Sequence, residues 1–138
     1  MSLFNIFDVA SSGLRAQNVR LNLTASNLAN VNTVVGDKAD AYRSRHPVFS
    51  AVLDQMGTAR SGIGGVETTS VVESRAEPDA RYSPGHPLAD DQGYIYSSNV
   101  SAVDEMTDMI SASRSYQLNV ELMTASKKLV EKTLTLGQ

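Results

Sequence analysis

Residues 101–136 read SAVDEMTDMI SASRSYQLNV ELMTASKKLV EKTLTL, and the fold turns on this stretch. Ser101 and Asp104 make an S-x-x-D start signal ahead of an apolar-periodic run, where the hydroxyl can cap backbone N–H groups. Asp104, Glu105 and Asp108 fall in the first two turns, and Lys127, Lys128 and Lys132 near the end. The helix macrodipole favours that polarity. Met109, Tyr116, Met123 and Val130 recur every seven residues, and Leu122, Leu129 and Leu136 form an adjacent seven-spaced row. The two rows make one broad apolar stripe. A helix of this length spans roughly 50 Å, longer than a compact domain of this size is wide. It needs a partner, and within the chain that partner is the N-terminal segment.

That segment, about Asn5 to Asn30, carries Phe7, Leu14, Leu21 and Leu28 at seven-residue spacing, with Ala10, Gln17, Thr24 and Val31 offset by three. This is an a/d pattern with a soft, polar d row. Asn5 is placed to cap the start, with the charge of Asp8 near the positive end. Asp8, Arg15 and Arg20 are the only charged residues before Asn32. A solvated surface helix normally carries more, so this one is expected to be covered on several sides.

All four prolines and seven of the nine glycines lie between Gly36 and Gly93. These residues punctuate local structure most strongly, so the chain divides into helix, irregular insert, helix. Val66–Val72 is β-branched and follows Gly62-Ile63-Gly64-Gly65, which reads as a tether or hairpin end. Tyr94-Ile95-Tyr96 follows the turn signal Asp91-Gln92-Gly93 and is a second strand. Glu77–Pro87, with three prolines, is expected to be extended or turned. The expected fold is mainly α with a β-rich insert, the long terminal helices pairing as an antiparallel coiled coil. The divisions are residues 1–33, N-terminal axial helix; 34–99, loop and β-rich insert; and 100–138, C-terminal axial helix.

Composition removes several classes of function. There is no cysteine, which excludes disulfides, iron–sulfur clusters and thiolate zinc sites. Twelve basic and fifteen acidic residues give a net charge of −3, so no bulk positive field draws the chain to nucleic acid. There is no tryptophan and little aromatic content for stacking on a base or sugar. No run approaches the ~20 apolar residues of a membrane span. The N-terminus lacks the basic-then-apolar pattern of a cleaved secretion signal.

Nothing gathers into a catalytic constellation. His46 and His86 each precede a proline, which biases them to extended backbone, and neither has a second ligand at helical spacing. Asp90 and Asp91 stand ahead of Gln92-Gly93, where aspartate is an ordinary turn former. No G-x-S-x-G is present, and no Gly-Lys-Ser/Thr follows the glycine-rich stretch. No catalytic, cofactor-binding or metal-ligating residue is expected. One cluster asks for explanation: Asn22, Asn27, Asn30 and Asn32. Capping accounts for Asn30 or Asn32, since asparagine tolerates the left-handed cap conformation. Asn22 and Asn27 are poor residues for a helix interior. They read as amides that hydrogen-bond to a neighbouring chain, as a buried asparagine fixes register in a coiled coil. Local capping on a solvated surface is the other reading.

Ser12-Gly13-Leu14-Arg15-Ala16-Gln17, Leu21-Asn22 and Ser26-Asn27-Leu28-Ala29-Asn30-Val31-Asn32-Thr33 closely resemble the N-terminal signature of the bacterial flagellar rod and hook family. Tyr82 to Asp90 and Gly93-Tyr94-Ile95-Tyr96 resemble its proximal-rod segment. Asn99-Val100, Glu105-Met106, Met109 to Ala112 and Arg114 to Val120 resemble its C-terminal signature, and Lys132 to Gln138 the ending of its proximal members. Ser101-Ala102 departs from the usual pair after Asn-Val, and Val35–Ala41 matches loosely.

The resemblance implies a structural subunit of the basal-body rod, the shaft that carries torque from rotor to hook. It implies terminal helices that pair within a subunit and pack with neighbours around the export channel. Implied partners are copies of the chain, other rod proteins, the rod-base adaptor and export-gate or rotor-ring components. Implied localisation is the periplasmic rod of the basal body, reached through the flagellar type III apparatus without a cleaved signal. The expected subunit-interface residues are Phe7, Leu14, Leu21, Asn22, Asn27, Leu28, Asn30, Asn32, Met109, Tyr116, Met123, Leu129, Val130 and Leu136. Two other classes fit parts of the sequence. A cytoplasmic coiled-coil adaptor or chaperone would use the same heptads as a discrete dimer. A small hydrolase would have to use His86 and Asp90.

Overall fold

The computed structural model describes residues 3–53 and 63–135. In chain order the elements are α1 (Leu3–Ala29), β1 (Val34–Val35), β2 (Arg45–Leu53), β3 (Ile63–Glu73), β4 (Asp79–Tyr82), β5 (Tyr94–Ser97) and α2 (Ala102–Thr135). Two helices thus enclose a small antiparallel β insert. Leu136 lies outside the described residues.

The helices lie side by side and run in opposite directions. Gly13 of α1 meets the Asn119 side chain, Arg20 bonds Asp108 at 2.7 Å and Asn27 bonds Glu105 at 2.9 Å. Ser101 caps α2 as expected, accepting from the N–H of Asp104 through its hydroxyl at 3.4 Å and from that of Glu105 through its carbonyl at 3.0 Å. α1 begins at Leu3, so Asn5 lies within its first turn and is not the cap expected of it.

β2 and β3 form a two-stranded hairpin laid along a second side of α1. Near the hairpin's root the Arg45 backbone meets Asn27. Farther along, the Val66 N–H donates to Ser12 Oγ at 3.1 Å, and that hydroxyl donates to the Val9 carbonyl at 2.7 Å. α1 is therefore the middle layer, with α2 on one flank and the hairpin on another. Its scarcity of charge follows from that position. β3 contains the strand expected at Val66–Val72 and extends it at both ends. β2 was not legible because Pro47 interrupts it. In a two-stranded sheet every strand has an open edge, so a residue without an N–H is tolerated there, opposite Val71. The second sheet, in the order β1-β5-β4, follows the end of α1 and precedes the start of α2 in the chain, with Ile95 as its buried residue. It includes the expected strand at Tyr94, and the Glu77–Pro87 stretch contributes β4 before it turns.

The core is unusual in what fills it. Among the described residues the buried apolar side chains are Ala10, Ala16, Ala41, Ile95 and Ala112, and the largest fully buried side chain is Asn27. Small residues let the layers approach closely, which the hairpin shows at Gly65. Its φ is +117°, and a Cβ there would stand 2.4 Å from Ser12 Oγ. Gly65→Ala should lower the unfolding free energy by roughly 1–3 kcal/mol, from backbone strain and displacement of Ser12. Gly85→Ala, where a Cβ meets open space, should stay within about 0.5 kcal/mol. Thermal unfolding of the two variants checks this.

Candidate functional site

Two features emerge from the packing: a buried polar junction that holds the layers together, and an aliphatic stripe left uncovered by the described residues.

The junction centres on Asn27, which is 0% exposed. Its Nδ2 donates to the Arg45 carbonyl at 2.9 Å and to Glu105 Oε1 at 2.9 Å. Its Oδ1 accepts from the Arg45 N–H at 2.9 Å and from the Tyr42 hydroxyl at 3.0 Å. One amide thus uses both donors and both lone pairs on α1's partners. Asn27 was expected to read a neighbouring chain; within the subunit its side chain already bonds the chain's own groups at every polar position. Asn99 repeats the device at the start of α2, accepting from the Ser44 N–H at 2.8 Å and donating to the Ala76 carbonyl at 2.8 Å. Asn30 follows the capping reading. Its Nδ2 donates to the Ser26 carbonyl, and its own carbonyl accepts from Thr33 Oγ1. Asn22 is exposed and bonds Asn18 one turn back; Asn32 is exposed.

Glu105 is buried although it stands in the first turn of a helix. Its Oε1 accepts from Asn27, while its Oε2 is buried with no partner. Burial pushes its carboxyl above the ordinary value of 4.5, against the opposing pull of the Asn27 bond and of His46. Glu105 begins the row Glu105, Ala112, Asn119, Ser126, of which the first, second and fourth are buried and Asn119 half-buried. Sequence reading missed this row because none of its members is a large hydrophobe. Its signal was the seven-residue spacing alone.

Beside it, Met109, Tyr116, Met123 and Val130 are half-buried, as are Phe7, Leu14, Leu21 and Leu28 on α1. Leu14 and Tyr116 border one hollow between the helices. Leu129 does not join them. It is 57% exposed, because it belongs to a different side of α2. Val103 (73%), Met106, Ile110, Leu118 (65%), Leu122 and Leu129 follow one another at helical spacings along the outer side. Among the described residues α2 packs on no element other than α1, and none of them covers this stripe. The outer side thus carries Val103, Ile110, Leu118, Leu122 and Leu129, while the inner seam buries Glu105, Ala112 and Ser126 beside the half-buried Met109, Tyr116, Met123 and Val130.

Two of the residues weighed for chemistry, His86 and Asp90, are spent on local turns. His86 Nδ1 accepts from the Leu88 N–H at 3.2 Å. Asp90 accepts from the Tyr94 and Gln92 N–H groups at 2.7 and 2.9 Å and from the Tyr96 hydroxyl. The Tyr94 bond does most to hold its carboxyl below the ordinary range.

Asn27→Leu should destabilise the isolated subunit by roughly 3–5 kcal/mol, since it orphans the Arg45 N–H and deepens the isolation of Glu105. Glu105 also sets a pH dependence. Its folded pKa is raised, so the fold favours the protonated form, and stability falls as pH rises from below 4.5 through the raised value. In Glu105→Gln that component of the fall should vanish. Denaturant titrations at a series of pH values compare the two chains.

Known proteins fit both ends and the whole. Residues 7–36 match the family model described as "Flagella basal body rod protein". Residues 91–136 match the one described as "Flagellar basal body rod FlgEFG protein C-terminal". The flagellar basal-body rod protein FlgC of Salmonella typhimurium is 49% identical over 138 residues, covering 100% of both chains. The protein of that name from Yersinia enterocolitica is 47% identical and that from Buchnera aphidicola of Baizongia pistaciae 33%, each over 138 residues and 100% of both chains. By this likeness along its full length the chain belongs to the FlgC family of flagellar basal-body rod proteins, structural and not enzymatic subunits of the flagellar basal body.

Proposed function

We propose that the chain polymerises with copies of itself and with other flagellar rod proteins into the periplasmic drive shaft, which carries torque from rotor to hook. The observation that carries this reading is the outer stripe of α2. A chain whose buried apolar residues are mostly alanines and whose Val103, Ile110, Leu118, Leu122 and Leu129 on α2 face outward has a core that neighbours complete. Each Leu or Met buried in a neighbour's groove is worth roughly 1.5–3 kcal/mol. Repetition around a shaft multiplies that term.

In this reading residues 1–33 and 100–138 are the axial helices and 34–99 the insert between them. α1 and α2 form an antiparallel coiled coil. Support comes from the inner seam of α2, where Glu105, Met109, Ala112, Tyr116, Asn119, Met123, Ser126 and Val130 are buried or half-buried at spacings alternating four and three. Phe7, Leu14, Leu21 and Leu28 complete the seam from α1. The outward residues that meet adjacent subunits are Leu129, Asn22 and Asn32, with Leu136 continuing the row of Leu129. The rod-base adaptor and export-gate or rotor-ring components contact the subunits nearest the rotor. The subunits arrive through the flagellar type III apparatus.

The test separates folding from assembly. Leu129 is exposed in the subunit, so Leu129→Ala should change its unfolding free energy by less than about 0.5 kcal/mol. Basal-body yield and swimming in viscous medium should nevertheless fall. Lys127 makes an exposed 3.8 Å contact with Glu131, a kind of pair worth ~0–1 kcal/mol, so Lys127→Ala should be mild in every assay. Equal severity of the two variants in cells would show that the lysine face, not the leucine stripe, meets the neighbouring chain.

A further inference from the structure

Glu105 is the one buried ionisable side chain among the described residues, and the groups around it determine which of its two forms they can hold. A buried carboxylate is tolerated when several donors or a committed cation meet it. Glu105 has one side-chain donor: Asn27 Nδ2 reaches Oε1 at 2.9 Å, and Oε2 is buried without a partner. Asn27 can give no more, because its other donor and both lone pairs are held by Arg45 and Tyr42. The arginines nearby are committed elsewhere. Arg20 of α1 pairs with Asp108 at 2.7 Å. The Arg45 guanidinium pairs with Glu73 at 3.0 Å and lies over the Tyr42 ring. On α2 itself Asp104 and Asp108 are like charges that oppose ionisation of Glu105. His46 of β2 favours the charged form electrostatically, but from an exposed position where water screens it.

We propose that Glu105 is a proton-operated latch: neutral, it holds the start of α2 against Asn27 and the root of β2; ionised, it leaves the junction for water and lets that end of α2 lift. One donor does not offset the burial of a full charge, so ionisation draws the carboxylate out. Asn99 and Ser101 lie on the same stretch of chain. The Asn99 bonds to the Ser44 N–H and the Ala76 carbonyl, and the Ser101 cap, therefore open with it. The lifting stops at the Arg20–Asp108 pair, one turn farther along. Beyond it α2 stays on α1 through the close approach of Asn119 to Gly13, and the hairpin stays docked through Ser12 and Val66. The latch thus loosens the link between α2 and the insert without separating the helices. Its direction follows from burial, which favours the neutral form in the closed junction. Closure is complete below the ordinary carboxyl value of 4.5 and is lost as pH rises through the raised one.

Amide hydrogen exchange of the full-length chain reads such an opening residue by residue. The parent and Glu105→Gln are compared at each pH, which cancels the intrinsic pH dependence of exchange. Glutamine keeps an acceptor for Asn27 and cannot ionise. The N–H groups of Ser44, held by Asn99, and of Asp104, held by Ser101, report the latch. The Val66 N–H, held by Ser12, reports the far part of the hairpin. At Ser44 and Asp104 the ratio of parent to variant exchange rates should be flat below pH 4.5. It should climb by up to about tenfold per pH unit above that and level off past the raised value. At Val66 the ratio should stay flat throughout. The NMR signal of the Glu105 carboxyl carbon should titrate above 4.5. A carboxyl midpoint at or below 4.5 overturns the inference, as does a Ser44 ratio that stays flat across the range, whether both chains are protected or both exchange freely. A parallel rise at Val66 overturns it too, because the subunit then unfolds as a whole and no latch acts.

Discussion

Asn27 stands where three layers meet, and its amide bonds both of the others, the root of β2 through Arg45 and the first turn of α2 through Glu105, and also the connecting loop through Tyr42. The rest of the arrangement follows from that junction. An asparagine in a helix interior costs helix propensity, and its burial costs desolvation. Both costs are offset because every polar atom of the side chain is paired. Such a network is specific in a way that apolar packing is not. Slipping α1 by one turn along α2 would leave a buried amide and a buried carboxyl facing hydrocarbon. The junction therefore sets the axial register, and Gly13 extends it a dozen residues along the seam by letting Asn119 approach where a Cβ would already be tight.

With register fixed by polar contacts, the seam has little need of bulk. Ala10, Ala16 and Ala112 allow the helices and the hairpin to approach closely, while the aliphatic surface is displaced to the far side of α2. This inverts the usual arrangement, in which the larger apolar side chains face the chain's own core. The isolated subunit consequently derives little hydrophobic stabilisation from α2. In the proposed shaft the outer stripe of α2 would be buried between chains, and stability and assembly would then be coupled through mass action.

The two helices, their polarity and cap at Ser101, and the strands at Val66 and Tyr94 were legible because each rests on a local signal: period, capping chemistry or β-branched composition. β2 was hidden by Pro47, which argues against a central strand but not against a two-stranded hairpin with open edges. The asparagine cluster was noticed correctly as anomalous in a helix. Its partners were misjudged because Arg45, Tyr42 and Glu105 are distant in sequence, and no periodicity points at a loop backbone. Leu129 was assigned with Met123 and Val130 to one stripe because a seven-residue period does not say which of two adjacent rows faces the partner. The difference between Val130, half-buried, and Leu129, mostly exposed, is one residue of helical phase. The near-absence of charge in α1 was the better clue. It indicated a helix covered on more than one side, and the hairpin and α2 supply that cover.

The division of labour between the sides of α2 also bears on stiffness. A shaft under torsion loads its subunits along the helix axes as well as across them. Apolar contacts resist separation but tolerate sliding, because one methyl group replaces another at little change in energy. Hydrogen-bonded contacts in a dry interior resist sliding, since any displacement leaves donors and acceptors unpaired. Within the subunit the buried bonds of Asn27 stand at the seam, where sliding of α2 on α1 would absorb twist. On the outside, the aliphatic stripe would, in the proposed shaft, supply adhesion between chains and accommodate neighbours that are similar without being identical. A polar inner seam with an apolar outer one thus suits a subunit that must be rigid in itself and tolerant of more than one partner.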